Sequence, residues 1–487
     1  MNISTTTDRQ TSLAFLGATE LLAGFKALEI TPLEVLEAQI QRIEWHNGDR
    51  ETGINAFTET LFERARVEAA AAGEAYRRCA DTGEIPGALL GLTVATKEKH
   101  GIAGQSLEQG LAGHAGRIAA VDHPVVARIK AAGGIIHART TSPEFSCATT
   151  THSTMWGITR NPWNLQASPG GSSGGAGAAL AAGFTTLATA SDIAGSTRIP
   201  AGFTGTVGYK APYGRVPAVS ALAADWYRGD GPMARSVADT ALLAAVISGH
   251  HAIDHVSWGE NGVNPLAGDD VSGLRIGLSL TLGNYPVAPE ILENTLAVAR
   301  ALETAGAILV NVELPWTTER ITETTFAHFG HILGPAMEME TAGSEDKLAA
   351  YTSRFIADAA TAAGKHSLVE SLGMDAQLQA ELATAMAGVD VLLCPTSAVA
   401  SLDADGDYLE GLETSERHLG HYWEAHMTSP FNVANRTAVI SVPSGTALNG
   451  VPTGVQVVAH PFDEAMAFRV AAGIEALLPG PGYPGLP

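Results

Sequence analysis

Two serine-bearing stretches and one lysine hold the residues of this 487-residue chain whose types and spacing could do chemistry. Ser172 and Ser173 stand between Gly170-Gly171 and Gly174-Gly175, directly ahead of an Ala/Gly-rich run suited to a tightly packed helix. Ser196 closes the turn Ser191-Asp192-Ile193-Ala194-Gly195, which follows residues 184–189, an apolar and β-branched segment that reads as a buried strand. A serine on a glycine-containing turn can attack a carbonyl, and the turn's successive amides can hold the negative charge that then develops. Taken alone, a Gly/Ser-rich stretch is a flexible loop; the apolar strand and helix beside this one argue against that reading. Further upstream, residues 90–97 read as a buried strand ending on Lys97, with Glu98, Lys99 and His100 just beyond. Burial can lower a lysine's pKa by several units and make it a base near neutral pH. A lysine that merely caps the strand in solvent fits the local sequence equally well.

Positioning these groups takes a layered scaffold, and the hydrophobic periods supply one. Residues 13–78 follow a helical pattern, with the capping box Thr31-Pro32-Leu33-Glu34 leading an apolar face of Leu33, Leu36, Ile40 and Ile43, and a second helix expected over 58–78. A helix over 124–132 stops at Gly133-Gly134 and is followed by a strand over 135–138; helices at 236–247 and 289–305 alternate with strands at 274–278 and 308–312. Further strands are expected at 390–396, 438–442 and 455–458. This rhythm predicts an α/β fold, and with no linker or composition shift dividing it, one large domain over residues 1–487 whose first 80 residues form a helical segment. Residues 318–429 change texture: His328, His331, His418, His421 and His426 gather with Phe326, Phe329, Tyr422 and Trp423. No carboxylate or cysteine stands at metal-type spacing among them, so this variable segment reads as a wall of a substrate pocket rather than a metal site.

Composition narrows the partners. A net charge of −22 repels phosphate backbones and anionic lipid, so neither nucleic acid nor a membrane is expected to bind directly. Three scattered cysteines, Cys79, Cys147 and Cys394, form no disulfide or zinc pattern, and the polar start MNISTTTDRQTS carries no apolar core, which together predict a cytoplasmic protein. The expected partners are a small-molecule substrate, apolar or aromatic, and at most a second copy of the chain.

These stretches resemble the amidase signature family. Residues 91–97 are similar to that family's strand ending in a lysine, and Asn161-Pro162-Trp163-Asn164 with Pro169-Gly170-Gly171-Ser172-Ser173-Gly174-Gly175 to its serine- and glycine-rich core. Asp192-Ile193-Ala194-Gly195-Ser196 resembles its nucleophile turn, 24 positions after Ser172, and Tyr213-Gly214-Arg215-Val216-Pro217, residues 231–239, Cys394-Pro395-Thr396 and Gly454-Val455-Gln456 resemble further motifs. The resemblance implies an α/β/α layered fold with a central mixed sheet, no cofactor, no metal, and a Ser-Ser-Lys triad. In that triad Ser196 is the nucleophile, Ser172 follows a cis peptide bond and bridges, and Lys97 is the base, while the amides of Ile193, Ala194, Gly195 and Ser196 form the oxyanion hole. Ala194 stands where the family has a glycine and Glu98 where it has an aspartate, and Lys99 shares a strand face with Lys97 as the rival lysine.

The implied activity is hydrolysis of a carboxamide C–N bond, with esters, anilides and carbamates within reach of the same acyl transfer. The alternative within the family is the glutamine-hydrolysing component of aminoacyl-tRNA amidotransferase, its A subunit, which carries aspartate where Pro143 stands here. An α/β-hydrolase elbow at Gly170–Gly174 lacks the buried strand it requires upstream, and the S-x-x-K at Ser344–Lys347 lacks its companion motifs.

Overall fold

Eleven strands spread over the whole chain make one mixed sheet. They are β1 (Phe57–Thr60), β2 (Thr93–Lys97), β3 (Ile135–Thr140), β4 (Leu187–Asp192), β5 (Val207–Lys210), β6 (Gly229–Ala234), β7 (Arg275–Leu278), β8 (Ile308–Asn311), β9 (Val391–Pro395), β10 (Thr437–Thr446) and β11 (Pro452–Pro461). Their order is β1-β3-β2-β4-β6-β5-β10-β11-β9-β7-β8. This computed structural model describes residues 12–486, so the polar start, save Ser12, lies outside the described residues. Among those residues no helix is long and apolar enough to cross a membrane, and Cys79, Cys147 and Cys394 are free thiols.

The register brings three chain segments to one edge. β2 runs parallel to both β3 and β4, so its C-terminal Lys97 and the C-terminal Asp192 of β4 emerge on the same side. β6 is antiparallel to β4 and begins there, pairing Gly229 with Asp192 and Asp230 with Ser191. The carboxyl ends of strands in an open α/β sheet are where such folds leave a crevice. Helices close the faces. Helix α1 (Pro32–His46) starts on the expected capping box, the Thr31 hydroxyl accepting from Glu34 N while the Glu34 carboxylate accepts from Thr31 N. Helix α2 (Phe62–Thr82) packs beside it, and α3 (Gly174–Ala181) lies wholly buried. Glycine is required in α3 because a Cβ on Gly175 would come within 2.4 Å of Thr141 Oγ1.

Two boundaries differ from the sequence reading. Residues 57–60 form an edge strand rather than the start of a helix, because Phe57 and Thr60 pair with Thr140 and Ala138 before α2 begins. The strand expected at 184–189 lies at 187–192. Phe184 N–H donates to Ala179 O at 2.8 Å and so belongs to the end of α3, while Ser191 and Asp192 continue the ladder instead of opening the turn.

Candidate active site

Lys97 ends a strand whose five residues are all buried, and its side chain is fully enclosed. Its Nζ lies 2.7 Å from Ser172 Oγ, 3.0 Å from Ser173 Oγ and 3.1 Å from Ser191 Oγ. Among the described residues no carboxylate comes within ion-pair distance of it. Burial, reinforced by the positive charge of Lys99, therefore holds its pKa well below the ordinary lysine value. The lysine is thus a buried amine among hydroxyls, and the solvated strand cap is ruled out. Ser172 follows a cis peptide bond from Gly171. Ser191, which the sequence reading placed only in the turn, is the third hydroxyl on the amine.

Asp192 builds the turn that carries Ser196. Its Oδ1 accepts from Gly195 N at 2.8 Å and its Oδ2 from Thr197 N at 3.2 Å, folding the backbone back on the strand end. Gly195 sits at φ 130°, and a Cβ there would fall 2.1 Å from Thr428 Oγ1, so glycine is obligatory on both conformational and steric grounds. Arg198, the first residue of α4 (Arg198–Thr204), grips the same carboxylate through Nε at 3.0 Å and Nη2 at 2.9 Å. Burial pushes the Asp192 carboxyl's pKa up, but the charge and hydrogen bonds of Arg198 outweigh it and bring it down to about 2. Arg198 is itself held by Thr428 O, Gln456 Oε1 at 2.7 Å and Asn432 Oδ1. That is the physical reason for the Gly454-Val455-Gln456 motif: Gln456 steadies the guanidinium and donates through Nε2 to Pro395 O and Met427 O.

The four amides expected to form an anion hole are not equivalent. Gly195 N–H is committed to Asp192. The amides of Ile193, Ala194 and Ser196 meet no acceptor among the described residues. Ser173 N donates to Ser196 O at 3.1 Å, tying the two serine stretches together at their backbones. Ser172 and Ser196 line one cavity.

Behind Lys97 lies a group of charges in which Lys99 and His100 are joined by His123 and Asp230, which the sequence did not single out. Thr189 Oγ1 accepts from Lys97 N at 3.0 Å and lies 2.9 Å from His100 Nδ1; the carboxylate facing the other ring nitrogen favours the hydrogen there, which leaves Nδ1 to accept the Thr189 hydroxyl proton. The hydrogen of the neutral His100 ring then sits on Nε2, 3.1 Å from Asp230 Oδ1. His123 Nδ1 accepts from Val125 N, which likewise leaves Nε2–H facing Asp230 Oδ2 at 3.6 Å. His100, His123 and Asp230 have the composition and spacing of a three-ligand metal cluster. These tautomers, however, present N–H groups and not lone pairs to the centre, so the two imidazoles flank the Asp230 carboxylate with their positive edges. Lys99 Nζ approaches the same carboxylate at 3.6 Å. The rival lysine is thereby engaged by Asp230, and among the described residues it makes no hydrogen bond to the serines. Glu98, in the place of the family's aspartate, is buried and accepts from Glu108 N and Gln109 N, anchoring the loop that brings Gln109 to the cavity.

The cavity walls are Phe145, Ile193, Leu222 and Leu333, with Gln109, Lys99 and Arg228 as polar groups. Leu333 opens helix α6 (Leu333–Thr341), which follows α5 (Thr318–His331). Residues 318–429 therefore reach the cavity through Leu333 and not through the aromatic residues expected to do so. Trp423 packs against Phe326, Phe329 and Phe355 with ring centroids 5.6 to 5.7 Å apart. The histidines of this segment serve structure: His328 Nε2 meets Asp225 at 2.8 Å, and His426 bridges Ser397 and Thr149.

Comparison with known proteins agrees with this architecture. A family model described as Amidase matches residues 34–468. An acylamidase of Rhodococcus erythropolis is 32% identical over 478 residues, covering 96% of each chain. The A subunit of glutamyl-tRNA(Gln) amidotransferase from Synechococcus sp. (strain CC9605) is 32% identical over 479 residues, 91% of this chain and 92% of the relative. Among solved structures, a bacterial aryl acylamidase belonging to the amidase signature enzymes superposes with a TM-score of 0.85 at 25% identity, covering 96% of this chain and 97% of the other. 6-Aminohexanoate cyclic dimer hydrolase complexed with substrate gives 0.81 at 28% identity, over 97% and 99%. The family match runs from α1 almost to the C-terminus and takes in every element of the site just described, so this chain belongs to the amidase signature family and is an enzyme that hydrolyses amide C–N bonds.

Proposed function

We propose that the chain hydrolyses a carboxamide through an acyl-enzyme on Ser196, with Ser172 and Lys97 carrying the proton. The observation that supports this most directly is the buried Lys97 amine, surrounded by three hydroxyls and free of any carboxylate among the described residues. A neutral amine has two hydrogens and one lone pair. Ser173 Oγ has a hydrogen-bond path for its own proton to Ser191 O at 3.4 Å, so it accepts from Nζ. With the second N–H given to Ser191, the lone pair is left for the Ser172 proton, and Ser172 Oγ is then ready to accept the proton of Ser196.

Ser196 Oγ attacks the carbonyl carbon and forms a C–O bond. Its proton passes to Ser172, whose own proton moves to Lys97 Nζ and makes an ammonium. The oxyanion lies against the amides of Ile193, Ala194 and Ser196, where one donor is worth roughly a hundredfold in rate. The C–N bond then breaks as a proton returns from Lys97 through Ser172 to the leaving nitrogen. Water cleaves the resulting ester by the same path, releasing the carboxylic acid and restoring the free serine. The walls of Phe145, Ile193, Leu222 and Leu333 favour an apolar or aromatic amide, anilide or carbamate.

The test is a fluorophosphonate probe followed by peptide mapping, with hydrolysis of an activated anilide measured in parallel. The label is expected on Ser196 and turnover is expected to vanish in Ser196→Ala. A label on Ser172 or Ser173, or normal turnover by the variant, overturns the assignment. Because relatives include the A subunits of amidotransferases, glutamine belongs in the substrate panel; ammonia release from glutamine in preference to all anilides would favour that second reading.

A further inference from the structure

The cavity that holds Ser172 and Ser196 continues past Lys99, Gln109, Phe145 and Leu222 into a larger cleft, and Arg228 lines both. The charged groups around this cleft are matched with one exception. Lys99 faces Asp230 at 3.6 Å, and at the outer end Arg117 pairs with Glu340 at 2.7 Å. His123 is uncharged, since burial and the neighbouring His100 push its pKa down to about 3. Arg228 alone makes no side-chain hydrogen bond or ion pair among the described residues. Its backbone is nevertheless fixed, its N–H donating to Asp225 O and its carbonyl accepting from Asn435 Nδ2. A half-buried guanidinium with a pinned backbone and no partner is an unusual feature in a chain of net charge −22. Its planar fork matches a carboxylate bidentately.

We propose that Arg228 determines specificity by taking a carboxylate that the substrate carries at the far end of its apolar part from the scissile amide. The apolar walls would hold the body of the substrate and the guanidinium its anionic end. The substrate class is then an amide of a dicarboxylic acid or an amide of an amine that bears a carboxylate, and not a neutral anilide. This inference rests on Ser196 being the nucleophile of the same cavity.

Two matched substrate pairs test it. Glutaric acid mono-4-nitroanilide against pentanoic acid 4-nitroanilide places the charge on the acyl side. 4-(Butanoylamino)benzoate against butananilide places it on the amine side. In one pair kcat/KM is expected to favour the anion by about 10- to 100-fold, the range of a charge-assisted hydrogen bond. Arg228→Gln should remove that preference, and Arg228→Lys should restore part of it. The same pairs are also titrated onto Ser196→Ala by calorimetry, which reads binding without turnover. There the anion should bind at least about tenfold more tightly, and the difference should vanish when Arg228→Gln is added. Equal binding of anion and neutral partner in both pairs, or a preference that survives Arg228→Gln, overturns the proposal. Loss of turnover on all four compounds by the native enzyme would count against the acyl-enzyme reading, while the calorimetric comparison still decides the role of Arg228.

Discussion

Replacing Asp192 by asparagine tests whether one buried ion pair builds the nucleophile turn. The carboxyl's pKa moves from 3.8 to about 2, which at about 1.4 kcal/mol per unit is worth roughly 2 kcal/mol. The sign is that of a depressed carboxylate: the stabilisation is present above the unfolded value and disappears as pH falls towards the folded one. Substitution costs more than protonation. Asparagine keeps an acceptor for Gly195 N, but its NH2 then faces the Thr197 N–H and Arg198 Nε donors, and the fully buried Arg198 loses its only carboxylate among the described residues. Breaking a buried pair by removing one partner costs about 3 to 5 kcal/mol. With an unfolding entropy of about 2.1 cal/mol/K per residue, a chain of 487 residues has a slope near ~1 kcal/mol/K, so Tm should fall by ~3 to 5 °C. The same change sets an NH2 against Thr197 N–H and Arg198 Nε and lets the turn relax, so kcat should fall by at least about a hundredfold as the anion-hole amides lose their aim. Scanning calorimetry and initial rates on one anilide read both quantities. A variant within about 1 °C and about threefold of the native enzyme would refute the reasoning, at ~1 kcal/mol of sensitivity.

Lys97→Met should abolish turnover and, at neutral pH, raise Tm. The folded pKa of Lys97 lies below its unfolded value of 10.5, so the unfolded chain binds the extra proton at neutral pH and stability climbs with pH towards that unfolded value. Methionine removes that penalty, and the gain measured by thermal melts should shrink as pH approaches about 10. In the native enzyme the same titration gives kcat/KM an acid limb, falling as pH drops through the lowered lysine pKa, and activity that instead rises only as pH approaches the ordinary lysine value of 10.5 would argue against a neutral lysine. Trp423→Ala should cost about 3 to 5 kcal/mol by emptying a buried aromatic site and leave the ranking of bulky against small substrates unchanged, as read from melts and a substrate panel. Ser172→Ala should lower kcat by several orders of magnitude with Tm nearly constant, because only the bridging hydroxyl is lost.

The catalytic stretch was legible because its chemistry is local. A strand ending on Lys97, glycines around Ser172 and the turn before Ser196 each have a short local signature, and the α/β rhythm needs only hydrophobic period and caps. What escaped depends on register. Ser191 faces Lys97 only because β4 extends to Asp192, beyond the end of the strand read from the apolar run, and a one-step shift in a strand reverses the side-chain face. Asn432 reaches Asp192 across 240 residues and Gln456 reaches Arg198 across 258, and no local pattern records such a meeting. The aromatic residues Phe326, Phe329 and Trp423 misled in the opposite direction. Their composition suits a pocket, but the same composition suits a core, and only the position of Leu333 shows which side of the segment faces the cavity.

The placement of the two aspartates bears on why Lys97 can stay neutral. Both lie at the same sheet edge as the lysine, and either carboxylate, turned towards Nζ, would convert the amine to an ammonium and remove the base. Asp192 is drawn to the far side of the turn by Arg198 and Asn432. Asp230 is drawn behind the strand by His100, His123 and Lys99. Each acid is thus satisfied by a donor set that points it away from the serines, leaving Lys97 to hydroxyl partners alone. Arg198 and Lys99 therefore act on the chemistry without touching substrate: they hold anions where the anions cannot stabilise a charged, protonated Lys97.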